Sequence, residues 1–137
     1  MSVVDASIVV DWVAPDVDPD ASAGRLLQRL VASDAALYAP RLLLEEVANA
    51  LLTGCRRGRW NGAAADRAYQ RLRRLPVHLV DTPADRDRAW DLSRRYDEHP
   101  VYDMIYVALA ERLGDQLITA DARLIRRLDM PNLLVAP

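Results

Sequence analysis

Acidic side chains occupy positions where the chain otherwise has the composition of a buried core. Asp103 interrupts the almost wholly apolar segment of residues 101–110. An ionised carboxylate buried there is costly without a partner, so something must compensate its charge. The alternative is a helix cap, because Asp103 lies near the start of its helix and could accept hydrogen bonds from backbone N–H groups. Asp103 alone does not decide between the two.

Two further aspartates follow short apolar strands. Asp5 ends the strand at residues 3–4, and Asp121 follows the strand at residues 117–119. Parallel α/β sheets bind ligands at the carboxyl ends of their strands, but either residue could equally be the N-cap of the helix after it. If the strands are parallel near-neighbours, the carboxylates lie within about 5 to 10 Å, because strands are ~4.8 Å apart. Two like charges that close favour a bound cation.

A pair of glutamates, Glu45 and Glu46, enters a leucine-rich helical segment, where at least one of them must turn inward. The alternative is that both are solvated helix residues. Asn49 lies one turn beyond Glu46, and both belong to a stripe at helical spacing that also contains Leu42 and Thr53. The polar centre of this stripe suits a binding site better than a core. Glu45 remains the competing choice.

The candidate ligands are all oxygen donors. Neither the single cysteine, Cys55, nor the two histidines, His78 and His99, is placed beside them. An all-oxygen set favours Mg²⁺ or Mn²⁺ over Zn²⁺, and the histidines are interpreted as packing or surface residues with no role in the site. Without metal the acids would repel one another, so we expect Mg²⁺ or Mn²⁺ to raise thermal stability.

Length and composition limit the class of protein. The 137 residues are 51% hydrophobic, which is material for one compact core and predicts a single domain over residues 1–137. No apolar segment approaches the ~20 residues that span a bilayer, and one cysteine gives no support for an oxidising compartment. We therefore expect a soluble, cytoplasmic protein. The net charge of −2 argues against a protein that coats nucleic acid nonspecifically.

The elements that must position the acids alternate between short strands and helices. Strands are expected at residues 3–4, 77–80, 117–119 and 133–135, with residues 37–39 as a brief extended link. Helices are expected over residues 7–13, 21–33, 41–57, 61–74, 102–113 and 122–128. Thr82 and Pro83 are predicted as the N-cap and first turn of one more helix. The alternation predicts an α/β fold with a parallel sheet covered on both faces.

Four sequence strings, in a fixed order, resemble those of a known family. They are VVDASIVVDW from Val3, EVANAL from Glu46, YDMIYVALAERLG from Tyr102 and LITADARL from Leu117. Together they resemble the PIN-domain ribonucleases, and they look most like the VapC-type toxins of bacterial toxin–antitoxin pairs. The match spans nearly the whole chain. It implies a PIN-like three-layer sandwich, with a short central parallel sheet covered by helices, and a Mg²⁺-dependent endoribonuclease in which Mn²⁺ can substitute.

The resemblance also implies residue roles and partners. The acids that would bind metal and support hydrolysis are Asp5, Glu46, Asp103 and Asp121, a choice that selects Glu46 over Glu45. The residues that would order the site around them are Ser7, Asn49 and Thr119. The family further implies a homodimer, an RNA substrate and a cognate antitoxin whose tail covers the acids. Asp11 departs from the family pattern, in which a basic residue is frequent there.

Three arginines, Arg56, Arg57 and Arg59, follow the helix that carries Glu46 and could receive the RNA backbone. The alternative is a solvated helix end, where cations are favourably placed. A receiver-type phosphorylation switch is excluded because the chain has no lysine, and its five glycines form neither a P-loop nor a dinucleotide fingerprint. A structure-specific DNA nuclease and a non-catalytic PIN-like module that binds RNA or protein remain open.

Overall fold

The computed structural model describes residues 1–137 and contains seven helices and five strands. In chain order they are β1 (Ser2–Val4), α1 (Ala6–Val13), α2 (Ser22–Ala32), β2 (Leu37–Pro40), α3 (Leu43–Arg56), α4 (Gly62–Arg74), β3 (Val77–Val80), α5 (Pro83–Arg95), α6 (Val101–Leu113), β4 (Leu117–Ile118), α7 (Ala122–Leu128) and β5 (Leu134–Val135). The expected alternation of strands and helices is confirmed, with most helix bounds within two residues of those predicted.

The strands form one sheet in the order β3-β2-β1-β4-β5, and every neighbouring pair is parallel. The predicted α/β class with a short central parallel sheet is therefore confirmed. The central strand β1 lies between β2 and β4, and the Asp5 N–H donates to the Ile118 carbonyl at 3.0 Å. The carboxyl ends of β1 and β4 consequently lie side by side, as the placement of Asp5 and Asp121 requires.

The segment predicted as a brief extended link is strand β2, which lies inside the sheet. Leu37 and Ala39 are buried, and β2 pairs with β1 on one side and with β3 on the other. The sequence prediction was incomplete because these strand partners are distant in the chain. A four-residue segment ended by a proline carries little local signal of a central strand.

The core forms one cluster of 31 buried residues, and α6 contributes to it over most of its circumference. Its residues 106–110 are all buried, which explains why this helix shows no polar face in the sequence. A partly buried ion pair joins α6 to α5: the Arg112 guanidinium donates to both carboxylate oxygens of Asp85, at 2.7 and 2.9 Å. This pair fixes the two helices whose connection lies next to the candidate site.

The far end of α3, the helix that carries Glu46, is fixed by Trp60. The indole N–H of Trp60 donates to the Leu51 carbonyl at 2.9 Å, and its ring lies against Gly54, where a Cβ would overlap it. Glycine at this position therefore permits the close approach of the Trp60 ring to α3. The orientation of α3 relative to the loop after it is set by this contact.

Two further observations concern the helices. Thr82 occupies the N-cap position of α5 as predicted, but its hydroxyl makes no capping hydrogen bond. It instead accepts a long contact of 3.5 Å from Arg112, so the predicted N-cap position and first turn are confirmed without a side-chain cap bond. None of the seven helices combines the length and the apolar composition that crossing a bilayer requires.

Candidate active site

Asp5 lies at the carboxyl end of β1, where it is 7% exposed. Its backbone occupies the N-cap position of α1, but its side chain makes no cap hydrogen bond. The carboxylate oxygen Oδ2 instead accepts hydrogen bonds from the Ser7 hydroxyl at 2.7 Å and from the Thr119 hydroxyl at 2.9 Å. The capping alternative therefore does not describe this side chain, which is held by hydroxyl groups from α1 and from the end of β4.

The same two hydroxyls connect the loop after β4 to α1. The Ala120 N–H donates to Ser7 Oγ at 3.0 Å, and the Asp121 N–H donates to Thr119 Oγ1 at 3.0 Å. Thr119 is fully buried. Ser7 and Thr119 thus lie where the sequence resemblance expected them, in direct contact with Asp5.

Glu46 points from α3 toward α6, where the buried Tyr106 hydroxyl donates to its Oε1 at 2.8 Å. Burial, together with the neighbouring charges of Asp5 and Asp103, raises the pKa of Glu46 to about 6, against the lowering effect of the hydrogen bond from Tyr106. Glu45, the competing choice, is exposed. Sequence reasoning missed Tyr106, although it stands three residues after Asp103 and therefore on the same face of α6.

Asp103 lies in the first turn of α6 and is held by a histidine. His99 Nε2 lies 2.7 Å from Asp103 Oδ2, whereas the N-cap position belongs to Pro100 and no side-chain cap bond is formed. The prediction that His99 has no role in the site was therefore wrong. The available signal was the spacing of four residues between His99 and Asp103 at a helix start.

Asp5, Glu46 and Asp103 lie within one another's electrostatic influence. Burial raises the pKa of Asp5, and the charge of Asp103 adds to that effect, while the hydroxyls of Ser7 and Thr119 oppose it. The pKa of Tyr106 is raised far above its ordinary value by burial and by the charge of Glu46. The charged groups acting on Asp5 and Glu46 are all carboxylates, so the cluster carries negative charge that no arginine offsets.

Asp121 lies at the rim of this cluster. Its Oδ1 caps α7 by accepting hydrogen bonds from the N–H groups of Arg123 and Leu124, at 3.0 and 3.1 Å, and the residue is exposed. The helix-cap alternative thus describes one oxygen of Asp121. Its N–H bond to Thr119 nevertheless places it directly beside the hydroxyl that holds Asp5.

The donor chemistry of the cluster fits a hard divalent cation. Asp5, Glu46 and Asp103 supply oxygens alone, and their mutual repulsion is the charge that such a cation would neutralise. In the present side-chain arrangement, no three His, Cys, Asp or Glu side chains converge closely enough to hold one ion together. Metal binding would therefore require the carboxylates to turn toward one another.

The remaining predicted site residues lie outside this cluster. Asn49 is exposed and its side chain makes no hydrogen bond in the structure. Arg56 donates to Thr53 at 3.0 Å, and Arg57 is exposed at the end of α3. These contacts match the solvated helix end that was the alternative to RNA binding.

Arg59 belongs to a separate neighbourhood near the loop after α1. It forms an ion pair with Asp16 at 2.8 Å and lies 4.7 Å from the centre of the Trp60 ring. Burial and the charge of Asp16 raise the pKa of Asp11, and Arg59 opposes that rise. Asp11, the departure from the family pattern, is therefore grouped with these residues and not with the acid cluster.

Comparison with known protein families and sequences gives consistent matches. The model of the PIN domain family matches residues 2–129. The VapC ribonuclease of Mycobacterium bovis is 35% identical over 113 residues, which cover 79% of this chain and 86% of that protein. Ribonuclease VapC3 of Mycobacterium tuberculosis is 37% identical over 124 residues, which cover 90% of this chain and 85% of that protein.

Solved structures share the fold over almost the whole chain. A protein from Pyrobaculum aerophilum, PAE2754, superposes with a TM-score of 0.71 at 25% identity, covering 98% of this chain and 89% of that one. Mycobacterium tuberculosis VapC20, described as a Sarcin-Ricin loop cleaving toxin, superposes with a TM-score of 0.66 at 20% identity, covering both chains completely. The predicted three-layer arrangement is thus one that several solved proteins adopt.

Proposed function

The chain belongs to the PIN domain family, among its VapC ribonucleases, and we propose that it is an endoribonuclease that hydrolyses RNA phosphodiester bonds with the help of Mg²⁺ or Mn²⁺. The observation that carries the proposal is the group of mutually repelling carboxylates, Asp5, Glu46 and Asp103, beside the carboxyl end of the central strand. The PIN family model matches residues 2–129, which contain these acids, and relatives named as ribonucleases match most of the chain.

The chain's own residues prepare the acids for this role. Each carboxylate is held by a group other than arginine: hydroxyls at Asp5, a phenol at Glu46 and an imidazole at Asp103. These bonds hold one oxygen of each acid and leave its second oxygen available to turn toward a metal.

The metal would be held by Asp5, Glu46 and Asp103, with Asp121 beside them. When bound, Mg²⁺ or Mn²⁺ lowers the pKa of a coordinated water and neutralises charge on the leaving oxygen. The protein side chains supply binding and orientation, and no covalent intermediate on the protein is needed. Glu46, whose pKa is about 6 without metal, must lose its proton before it can act as a ligand.

We also place the chain in a toxin–antitoxin pair, as a cytoplasmic toxin that forms a homodimer. The toxin part of this proposal is supported by the names of its VapC relatives and of VapC20, a Sarcin-Ricin loop cleaving toxin. The uncompensated charge of the acid cluster would attract a basic side chain from an antitoxin tail, which would occupy the position of the metal. Release of that tail would then expose the site to RNA.

A panel of structured RNAs and DNAs of matched sequence tests the substrate class. The wild-type chain, given Mg²⁺ or Mn²⁺, should cut RNAs and leave the DNAs intact, and Asp103→Asn should cut neither. Cleavage of the DNAs alone would establish the structure-specific DNA nuclease instead. Binding of RNA without cleavage by either protein would establish the non-catalytic module.

A further inference from the structure

A cavity lies beside the acid cluster, where α5 ends and α6 begins. Its volume is about 340 Å³, and its lining includes Trp90 and Ser93 of α5 and His99 and Pro100 of the connection. Small-molecule sites in proteins begin at about 300 Å³, so the cavity can hold one planar group. We call it the Trp90 pocket.

Trp90 differs from the other two tryptophans in its exposure. Trp12 and Trp60 are 7% and 9% exposed, and each donates its indole N–H to a backbone carbonyl. Trp90 is 64% exposed, and no hydrogen bond is formed by its indole in the structure. An exposed aromatic face of this kind is the platform on which nucleic-acid bases stack.

The pocket also contains polar atoms without partners. Ser93 Oγ and His99 Nδ1 are the two buried side-chain polar atoms that have no hydrogen bond in the structure, and both residues line this pocket. Buried polar atoms nearly always have a partner in folded proteins, so the exceptions call for an explanation. Because both residues line the pocket, a ligand bound there is placed to supply the partners that these atoms lack.

The hydrogen bond to Asp103 settles which group His99 offers the pocket. Its Nε2 lies 2.7 Å from the Asp103 carboxylate, so Nδ1 is the ring nitrogen that remains for a ligand in the pocket. The pocket thus combines an aromatic face, a ring nitrogen and a hydroxyl. Those are the groups that recognise the face and the edge of a nucleobase.

His99 connects the pocket to the acid cluster, because it lines the pocket and its Nε2 lies 2.7 Å from Asp103 Oδ2. We propose that the Trp90 pocket binds the base of a nucleotide next to the scissile phosphate, with Trp90 stacked on the base and with Ser93 and His99 Nδ1 bonded to its edge. The inference rests on the proposed ribonuclease function. It assigns to these residues part of the sequence preference of cleavage.

Cleavage of an RNA library with a randomised segment tests the proposal. The ends produced by wild type, Trp90→Ala and Trp90→Phe are sequenced, and Tyr69→Ala provides a matched control, because Tyr69 is an exposed aromatic on α4. Trp90→Ala should lose its preference at one position beside the cut, with cleavage of the preferred sequence reduced roughly 5- to 150-fold, as expected for one lost stacking contact. Trp90→Phe should keep most of the preference and Tyr69→Ala all of it.

A second measurement uses short single-stranded RNAs in which one nucleotide at a time is abasic, with Asp5→Asn as the non-cleaving background. Removing the base bound in the pocket should weaken binding of Asp5→Asn but have little effect on Asp5→Asn with Trp90→Ala. Unchanged base preferences in Trp90→Ala would overturn the inference. A changed oligomeric mass, or lost binding of a protein partner alone, would also overturn it by making the pocket a protein interface. If the wild type cuts no RNA in the library, the proposed function fails first and the inference falls with it.

Discussion

Asp5 and Glu46 are held by neutral hydroxyl donors, two of which, Thr119 and Tyr106, come from distant parts of the chain. Ser7 and Thr119 hold Asp5, and Tyr106 holds Glu46. An arginine in any of these places would fix the carboxylate equally well but would also cancel its charge. Neutral donors keep the carboxylates oriented and leave the cluster in need of a cation.

Thr119 provides a test of this positioning role. Thr119→Val keeps the shape of the fully buried side chain but removes the hydroxyl that donates to Asp5 and accepts from the Asp121 N–H. We expect RNA cleavage to fall by about 10- to 100-fold, as is typical when an outer partner of a metal ligand is lost. Thr119→Ser keeps the hydroxyl and should retain most of the activity. Wild-type rates in Thr119→Val would refute the role.

Glu46 should make the stability of the metal-free protein depend on pH. Its pKa is raised in the folded state from 4.5 to about 6, so between these values the folded chain binds more protons than the unfolded chain, and stability falls as pH rises. Glu46→Gln, which can still accept from Tyr106, should be more stable than wild type above pH 6. The gain should stay below about 2 kcal/mol, because solvent screens a half-exposed carboxylate.

Urea unfolding followed by circular dichroism at several pH values, with a chelator present, measures this difference. The advantage of Glu46→Gln should shrink through the window from pH 6 to pH 4.5 and vanish below it. An advantage that is constant across this range would mean that the charge of Glu46 carries no cost in the folded chain.

The acids and the hydroxyl partners of Asp5 could be predicted from sequence, whereas the partners of Glu46 and Asp103 could not. Asp5 and Asp103 stood out because a carboxylate in an apolar segment is unusual, and the motif order selected Glu46 over Glu45. Tyr106 was hidden because an apolar helix with a buried tyrosine needs no functional explanation. His99 was dismissed because its partner becomes close only when the chain turns into α6. The roles of all these residues stay predictions until variants are measured.

At the scale of elements, α5, α6 and their connection carry Asp103, Tyr106 and the residues that line the Trp90 pocket. Their connection passes through two consecutive left-handed residues, Asp97 and Glu98, a conformation that non-glycine residues seldom adopt and that the surrounding structure must enforce. The ion pair between Asp85 and Arg112 joins the two helices at the end opposite this connection. Loss of the ion pair should loosen the packing of α5 against α6.

The two partners of this ion pair should differ in how much their replacement costs. The Asp85 side chain is 7% exposed and that of Arg112 is 41% exposed, so removing the arginine strands a buried charge, whereas removing the aspartate leaves a charge that water can solvate. Arg112→Met should lower the free energy of unfolding by roughly 3 kcal/mol. Asp85→Asn should lower it by about 1 kcal/mol. Urea denaturation compares the two, and equal losses would contradict the assignment of burial as the cause.

Helices were predicted more accurately than strands because the helical pattern is local. The spacing that predicts a helix lies wholly within residues 122–128, and α7 has those bounds. Residues 37–39 are a strand only through their pairing with β1 and β3. Pairing of that kind depends on distant segments, which the pattern of one short segment does not contain.

At the scale of the molecule, the parallel sheet brings together residues that are far apart in the chain. The order β3-β2-β1-β4-β5 sets the ends of β1 and β4 side by side, and α3 and α6 supply Glu46 and Asp103 from outside the sheet. Glu46 and Asp103 therefore lie in the same region of the molecule as Asp5 and its hydroxyl partners. The sequence could indicate this meeting only through the rule that parallel strands present their carboxyl ends at one edge.

Divalent metal should stabilise the folded chain, since it binds the assembled acids and not the unfolded chain. Mg²⁺ or Mn²⁺ in the millimolar range should raise the melting temperature of the wild type by several degrees. Asp5→Asn should melt higher than wild type without metal, because a buried and repelled charge has been removed, and should gain little from metal. Scanning calorimetry against NaCl of equal ionic strength measures both effects. A wild-type melting temperature indifferent to metal would count against the site.

The most direct test of the central claim is the cleavage of one RNA by wild type and by Asp5→Asn, with RNA binding measured for both. In Mg²⁺ the wild type should cut the RNA, stop when the metal is chelated and resume when it is restored. Asp5→Asn should bind the same RNA with similar affinity and fail to cut it at any metal concentration. Equal cleavage by the two proteins, or cleavage by the wild type that persists after chelation, would contradict a metal-dependent ribonuclease built on these acids.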